Sequence, residues 1–214
     1  TDQLESVITN ASGLGELTIS IPGDVNPGIF TLHASWDGNV ADLGSVGIFG
    51  GNETVNFVVL AYTELTLDSV EGSMIVGEDI WVNGTLIDDA GNPLLGSNGL
   101  PAGGLVRLFV DGLPMATSIS DGSTGAYSIQ YELPEWMIAG NHNMHVEFSG
   151  GFLWIEPYAS GDAENPEYYW NSSHPIPDLE FDVYIPTEVV ITTSQGSQVD
   201  RDSDLIVNGT LLDI

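Results

Sequence analysis

Residues 63–89 read TELTLDSVEGSMIVGEDIWVNGTLIDD, and residues 187–214 read TEVVITTSQGSQVDRDSDLIVNGTLLDI. Both open on Thr-Glu, both carry a glycine at the same offset (Gly72 and Gly196), and both reach the string VNGTL, with one residue inserted on the way. Self-similarity of this kind is the signature of a repeat architecture and is sought before any element is assigned. Around the shared string, IWVNGTLI (80–87) alternates apolar and polar residues, the period of a half-buried strand.

Working outward, a second pair links the N-terminal third to the middle. Residues 28–38 (GIFTLHASWDG) match 140–150 (GNHNMHVEFSG) without a gap, placing His33 over His145 and Trp36 over Phe148. Upstream, GELTISIP (15–22) matches GAYSIQYELP (125–134). Downstream, VNFVVLAYTE (55–64) matches LEFDVYIPTE (179–188). The matches run in one order. They predict the tail of one unit over 1–62, a complete unit over 63–186 and the head of a third over 187–214. The complete unit is longer than the roughly 100 residues of a standard sandwich. Its excess lies in 151–177, a longer connection than 39–54 of the first unit. Both ends are expected to stop inside a unit, either as an excerpt of a longer array or with edges completed by neighbouring chains.

The remaining pattern is β throughout. LVRLFVDG (105–112), AYSIQYEL (126–133), HNMHVEF (142–148) and LEFDVYI (179–185) alternate, and Gly-, Pro- and Asp-bearing turns separate them. Asp111-Gly112 between two extended runs predicts a hairpin. The only helical candidate, 134–139, is too short to stand alone. Short strands at regular spacing without a βαβ rhythm predict an all-β fold of tandem antiparallel sandwiches.

The string VNGTLIDDAGNPLLG, followed by GLVRLFVDG, DGSTGAYSIQYELP and AGNHNMHVEFSG, resembles the bacterial and archaeal Ig-like repeats of large cell-surface proteins. It is also similar to the related carboxypeptidase-regulatory-like modules. The resemblance covers most of 63–186 and parts of both flanks, and rests on structural glycines and prolines. It implies an Ig-like sandwich with a surface-layer, stalk, filament or adhesin role.

Charge narrows the partners. Thirty-one acids face two bases, Arg107 and Arg201, with no lysine, for a formal net charge of −29. Nucleic acid is excluded as a partner, because phosphate binding needs clustered Lys and Arg; an anionic membrane surface is disfavoured likewise. Such an excess keeps units soluble and apart unless salt or divalent cations screen it. Cysteine is absent, which excludes disulfides and thiolate metal sites. No apolar run reaches the roughly 18–20 residues of a membrane span. The stretch opens Thr-Asp-Gln-Leu without a basic or apolar leader, so any targeting segment is expected outside it or already removed.

Five Asn-x-Ser/Thr sequons stand at Asn10, Asn52, Asn83, Asn171 and Asn208. They read either as glycan acceptors on an exported protein or as turn-forming asparagines beside Ser and Thr. Acidic loops offer calcium as the one candidate cofactor, since that ion takes several carboxylate and carbonyl oxygens. The best set is Asp200, Asp202 and Asp204, with Glu188 at the start of the third unit. Glu64, Glu78-Asp79, Asp88-Asp89-Asn92 and Asp162/Glu164 are lesser sets. Solvated carboxylates are the favoured alternative in so acidic a chain.

His33 and His145 read as structural histidines repeated with their unit. His142 and His145, three apart on a strand, point to opposite faces and cannot share a metal. No G-x-S-x-G elbow is present, and the expectation is a non-catalytic protein. The aromatic loop 152–170, with Trp154, Tyr158, Tyr168, Tyr169 and Trp170, is the candidate contact surface, unless it folds back over its own sandwich. The leading expectation is a structural protein of the cell exterior, in contact with copies of itself or other surface proteins. The alternative is an adhesin or carbohydrate-binding segment that uses the aromatic loop.

Overall fold

The computed structural model describes residues 5–39, 48–96, 98–151, 165–193, 201 and 207–213. Every regular element in them is a strand. They are β1 (Gly28–Asn39), β2 (Ile48–Val59), β3 (Thr63–Leu65), β4 (Ser69–Gly72), β5 (Asp79–Asp88), β6 (Leu105–Val110), β7 (Leu113–Ile119), β8 (Ala126–Glu132), β9 (Gly140–Phe148), β10 (Ser172–Val183), β11 (Thr187–Thr193) and β12 (Val207–Asp213). All strand ladders are antiparallel, and residues 134–139 form a turn rather than a helix.

Strands β3 to β10 build two facing sheets. In one, β5 is central, with β3 and β4 along one edge and β8 along the other. In the other the order is β10-β9-β6-β7. Alternation dictates the core between them. Ile80, Val82 and Leu86 of β5, with Tyr127, Ile129 and Tyr131 of β8, point inward from the first sheet. Val106, Leu108 and Val110 of β6, Met144, Val146 and Phe148 of β9, and Phe181 and Val183 of β10 meet them from the second. Burying an aliphatic or aromatic side chain of this size contributes about 1.5–3 kcal/mol.

Gly84, inside VNGTL, has a steric reason to be glycine. A Cβ there would run into the Thr66 carbonyl and the Tyr127 hydroxyl, and that hydroxyl donates to the same carbonyl. The first strand breaks into β3 and β4 because one extra residue sits between Leu65↔Leu86 and Ser69↔Asn83, the geometry of a β-bulge. At the β6–β7 turn, Asp111 and Gly112 both have positive φ (50° and 74°), the two-residue type I′ hairpin that Asp-Gly favours.

The two outer hairpins keep the registers of the sandwich. Gly28↔Val59, Phe30↔Phe57 and Leu32↔Val55 in β1–β2 correspond, through the sequence match, to Gly140↔Val183, His142↔Phe181 and Met144↔Leu179 in β9–β10. Gly28 and Gly140 even share a positive φ. In β11–β12, Thr187↔Asp213, Glu188↔Leu212 and Val189↔Leu211 correspond to Thr63↔Asp88, Glu64↔Ile87 and Leu65↔Leu86. The outer hairpins leave apolar residues exposed, among them Trp36, Val189 and Leu211, whose counterparts Phe148, Leu65 and Leu86 are buried.

Candidate functional site

Two places on the sandwich gather polar chemistry, one at each end of β9. The first lies at the end where the chain enters β3. Residues 61–63 run alongside 168–172. The Ala61 N–H donates to the Tyr168 carbonyl and the Trp170 N–H to the Ala61 carbonyl, each at 3.1 Å. The Thr63 hydroxyl reaches the Trp170 carbonyl and the Ser172 hydroxyl, both at 2.9 Å. This clamp stacks Tyr62 on Trp170, with ring centroids 6.1 Å apart. Beside them opens a cleft of about 320 Å³ lined by Glu147, Phe148, Ser149 and residues 169–173. Below it the Arg107 guanidinium donates to the Ser149 hydroxyl (2.8 Å). The buried Asn165 side chain donates to the Gly150 carbonyl and accepts from the Leu105 N–H.

Of the expected contact residues, Trp170 is half-buried at the rim of this cleft and Tyr168 is half-buried beside it, with φ of 72°. Burial first, and then the neighbouring Glu167, push the Tyr168 phenol up. Tyr169 corrects the expectation: it is 1% exposed and belongs to the core. Its hydroxyl accepts from the Leu95 N–H at 2.9 Å, so here the chain does fold back over its own sandwich. Trp154 and Tyr158 lie outside the described residues.

The sequons sit in different surroundings. Asn10 closes an exposed turn, its Oδ1 accepting from the Ser12 N–H, the Ser12 hydroxyl and the Leu14 N–H. Asn52 is exposed on β2, and Asn171 is exposed beside Trp170. Asn83 is half-buried on the central strand β5 and donates to the Ser69 hydroxyl at 3.3 Å. Asn208 is exposed on β12 opposite Thr192.

For calcium, Glu188 is exposed on β11, while Asp200, Asp202 and Asp204 lie outside the described residues, as do Asp162 and Glu164. No group of three or more His, Cys, Asp or Glu converges among the described residues. Asp88 corrects the lesser set. It is 7% exposed, and one carboxylate oxygen accepts from the Ala90 and Asn92 N–H groups, so it caps the 88–92 turn.

The second place was not anticipated. His142, on β9 and 8% exposed, has Nδ1 2.7 Å from Asp111 Oδ2 and Nε2 2.9 Å from the Ile138 carbonyl. Its ring lies against Phe181. The Asp111 carboxylate beside it is the main reason its pKa lies above the ordinary histidine value, and the Ile138 carbonyl adds to this. The Asp111 carboxyl is correspondingly held low, first by His142. The signal was present in the sequence: His142 alternates with the core residues Met144, Val146 and Phe148 and stands where β1 has Phe30. His145, on the other face, stacks flat on Phe109 at 5.0 Å between Glu147 and Asp178, each 3.2 Å away. His33 is exposed.

No known protein family matches the chain, and no curated protein matches it. No helix among the described residues is long and apolar enough to cross a membrane.

Proposed function

We propose that this chain is a stretch of tandem Ig-like modules, divided at 1–62, 63–186 and 187–214, that serve as a non-catalytic structural element of the cell exterior in a surface layer, stalk or extracellular filament. One observation carries the reading. The hairpin registers of the sandwich recur at equivalent positions in both flanks, as expected when one unit is repeated along a chain. The strand order supports the Ig-like assignment. With β3/β4, β5 and β8 read as A, B and E, and β7, β6, β9 and β10 as C′, C, F and G, the two sheets follow the connectivity of that fold class. Three-residue linkers at 61–63 and 185–187 hold successive units close. The acidic surface favours a hydrated exterior. Antibodies raised against residues 63–186 should label intact cells of the source organism; labelling only after permeabilisation would sink the reading.

A second reading, an adhesive or saccharide-binding module, draws on the cleft beside Trp170. Hydroxyls of Ser149, Ser172 and Ser173, the Asn171 amide and the Glu147 carboxylate surround an indole there, a mixture suited to an uncharged polyhydroxylated ligand. Glycan-array binding by the wild-type chain that disappears in Trp170→Ala supports this reading, and no binding by the wild type removes it.

A further inference from the structure

We propose that His142, Asp111 and the Ile138 carbonyl form a proton-dependent latch that fixes the 134–139 segment to the end of the sandwich while His142 is protonated. The argument starts from the position. β9 places His142 on its core-facing side, at the register that Phe30 occupies in β1. A phenylalanine there asks only for packing. A histidine brings two ring nitrogens into a site 8% exposed, and both meet acceptors: a carboxylate at 2.7 Å and a carbonyl at 2.9 Å. A neutral imidazole has one N–H, whereas the imidazolium has two. Only the protonated ring satisfies both partners.

The partners are anchored independently. Asp111 lies in the type I′ turn, where its N–H donates to the Asn143 carbonyl (2.9 Å) and its Oδ1 accepts from the Asn143 N–H (3.1 Å). Its other carboxylate oxygen is therefore already aimed at His142 before the bond forms. The 134–139 segment is tied upstream, where the Leu133 N–H donates to the Glu78 carbonyl, and is plugged by the buried Met137. Trp136 and Ile138 project outward, 67% and 73% exposed. A cleft of about 250 Å³ separates them from Leu113 and Met115.

The electrostatic surroundings of His142 are simple. Among the described residues, Asp111 is the charged group that faces it. From β8, the Tyr131 phenol feels the Asp111 charge as well. On β10, Glu180 and Asp182 flank Phe181 on the opposite, exposed face. Glu135, the acid of the 134–139 segment, is exposed. Loss of the proton leaves the ring one N–H, which stays with the charged Asp111 because charge-assisted bonds are the stronger. The Nε2 lone pair then opposes the Ile138 carbonyl oxygen, and that end of the segment is released. Gly140↔Val183 pairing puts the latch at the end from which the chain leaves towards β11, so the release acts where the next strand pair begins.

The test is an NMR titration of the 214-residue chain from about pH 5 to about pH 9, spanning the histidine range. His142 is expected to carry both ring N–H groups below its midpoint, and that midpoint should lie above 6.5. The backbone amides of Met137, Ile138 and Ala139 should shift with that same midpoint. In His142→Phe these amides should become insensitive to pH. A His142 midpoint at or below 6.5 overturns the proposal, as do 137–139 amides that ignore the His142 transition. The wild-type titration decides the matter even where the variant does not fold.

Discussion

Phe30 stacks on Phe57 with ring centroids 5.8 Å apart, and the residues at the same register positions in the sandwich, His142 and Phe181, are also 5.8 Å apart. The backbone therefore presents one pair of positions twice, with different chemistry each time. In β1–β2 the pair is wholly aromatic and lies on an uncovered hairpin. In β9–β10 it is covered by a second sheet, yet it admits a charged ring because Asp111 and the Ile138 carbonyl supply two acceptors there. Burying an unpaired imidazolium would be prohibitive; the Asp-Gly turn makes it tolerable. The β9–β10 pair thus carries a local electrostatic feature at the strand register where β1–β2 places two phenylalanines.

The same comparison predicts how core and hairpin differ energetically. Leu86 is fully buried, whereas its register counterpart Leu211 is 67% exposed. Leu86→Ala should destabilise the main unfolding transition by about 2–5 kcal/mol, from lost transfer energy plus a residual cavity. Leu211→Ala should move that transition by less than about 0.5 kcal/mol. Urea denaturation followed by Trp fluorescence measures both. Equal shifts would mean that β12 is packed as β5 is.

Much of this architecture was legible in the sequence, and the reason is particular. β5, β6, β8 and β9 each bury alternate residues, so period-two patterning reports their burial directly. Asp111-Gly112 likewise encodes its turn through backbone preference alone. Other features depend on partners that local pattern does not register. Residues 15–22 match the region of β8, yet they form no strand. β8 owes its state to seven cross-strand pairs with β5, and no described strand pairs with 15–22. Tyr169 read as a surface aromatic because its burial depends on Leu95, far away in sequence. The His142–Asp111 pair joins a strand to a turn thirty-one residues away; alternation with Met144, Val146 and Phe148, and the match to Phe30, hinted that this histidine faces inward, but neither named its partner.

Gly84 offers a sharper steric test. A methyl group there meets the Thr66 carbonyl and the Tyr127 hydroxyl, a backbone atom and a ring held in the core, neither able to retreat freely. Gly84→Ala should cost about 1–3 kcal/mol, the range for overpacking a filled site. Gly51→Ala, where nothing lies within 4 Å, should change stability by less than about 0.5 kcal/mol. A neutral Gly84→Ala would show that β3 and β5 can separate locally.

The charge imbalance predicts a salt response of definite sign. With 31 acids and two bases, folding concentrates like charges, and the compact state is repelled from within. Raising sodium chloride from about 0.01 M to about 1 M shortens the screening length from about 30 Å to about 3 Å. Tm should rise, and each 1 kcal/mol gained corresponds to roughly 2–4 °C for a chain of this size. Differential scanning calorimetry at fixed pH checks this. A Tm that falls with salt would mean that attractive pairs outweigh the repulsion.

Asp111→Asn isolates the source of the His142 charge. In the wild type the His142 pKa is raised, so its contribution to stability is full below 6.5 and fades as pH climbs through the folded value. Asp111 works in the opposite sense. Its pKa is lowered from 3.8, so its contribution is present above that value and fades as pH drops through the folded one. Together the pair is at full strength between those two reference values. An asparagine keeps the shape of the side chain and removes the carboxylate whose hydrogen bond to the ring is the first cause of the His142 shift. The His142 midpoint should therefore fall, the loss of stability on the alkaline side should begin at lower pH, and the acid-side loss due to Asp111 should vanish. Urea midpoints across the pH range, read beside the His142 ring resonances, separate these effects. A His142 midpoint that stays put in Asp111→Asn would show that the Ile138 carbonyl and burial, rather than the carboxylate, govern its proton.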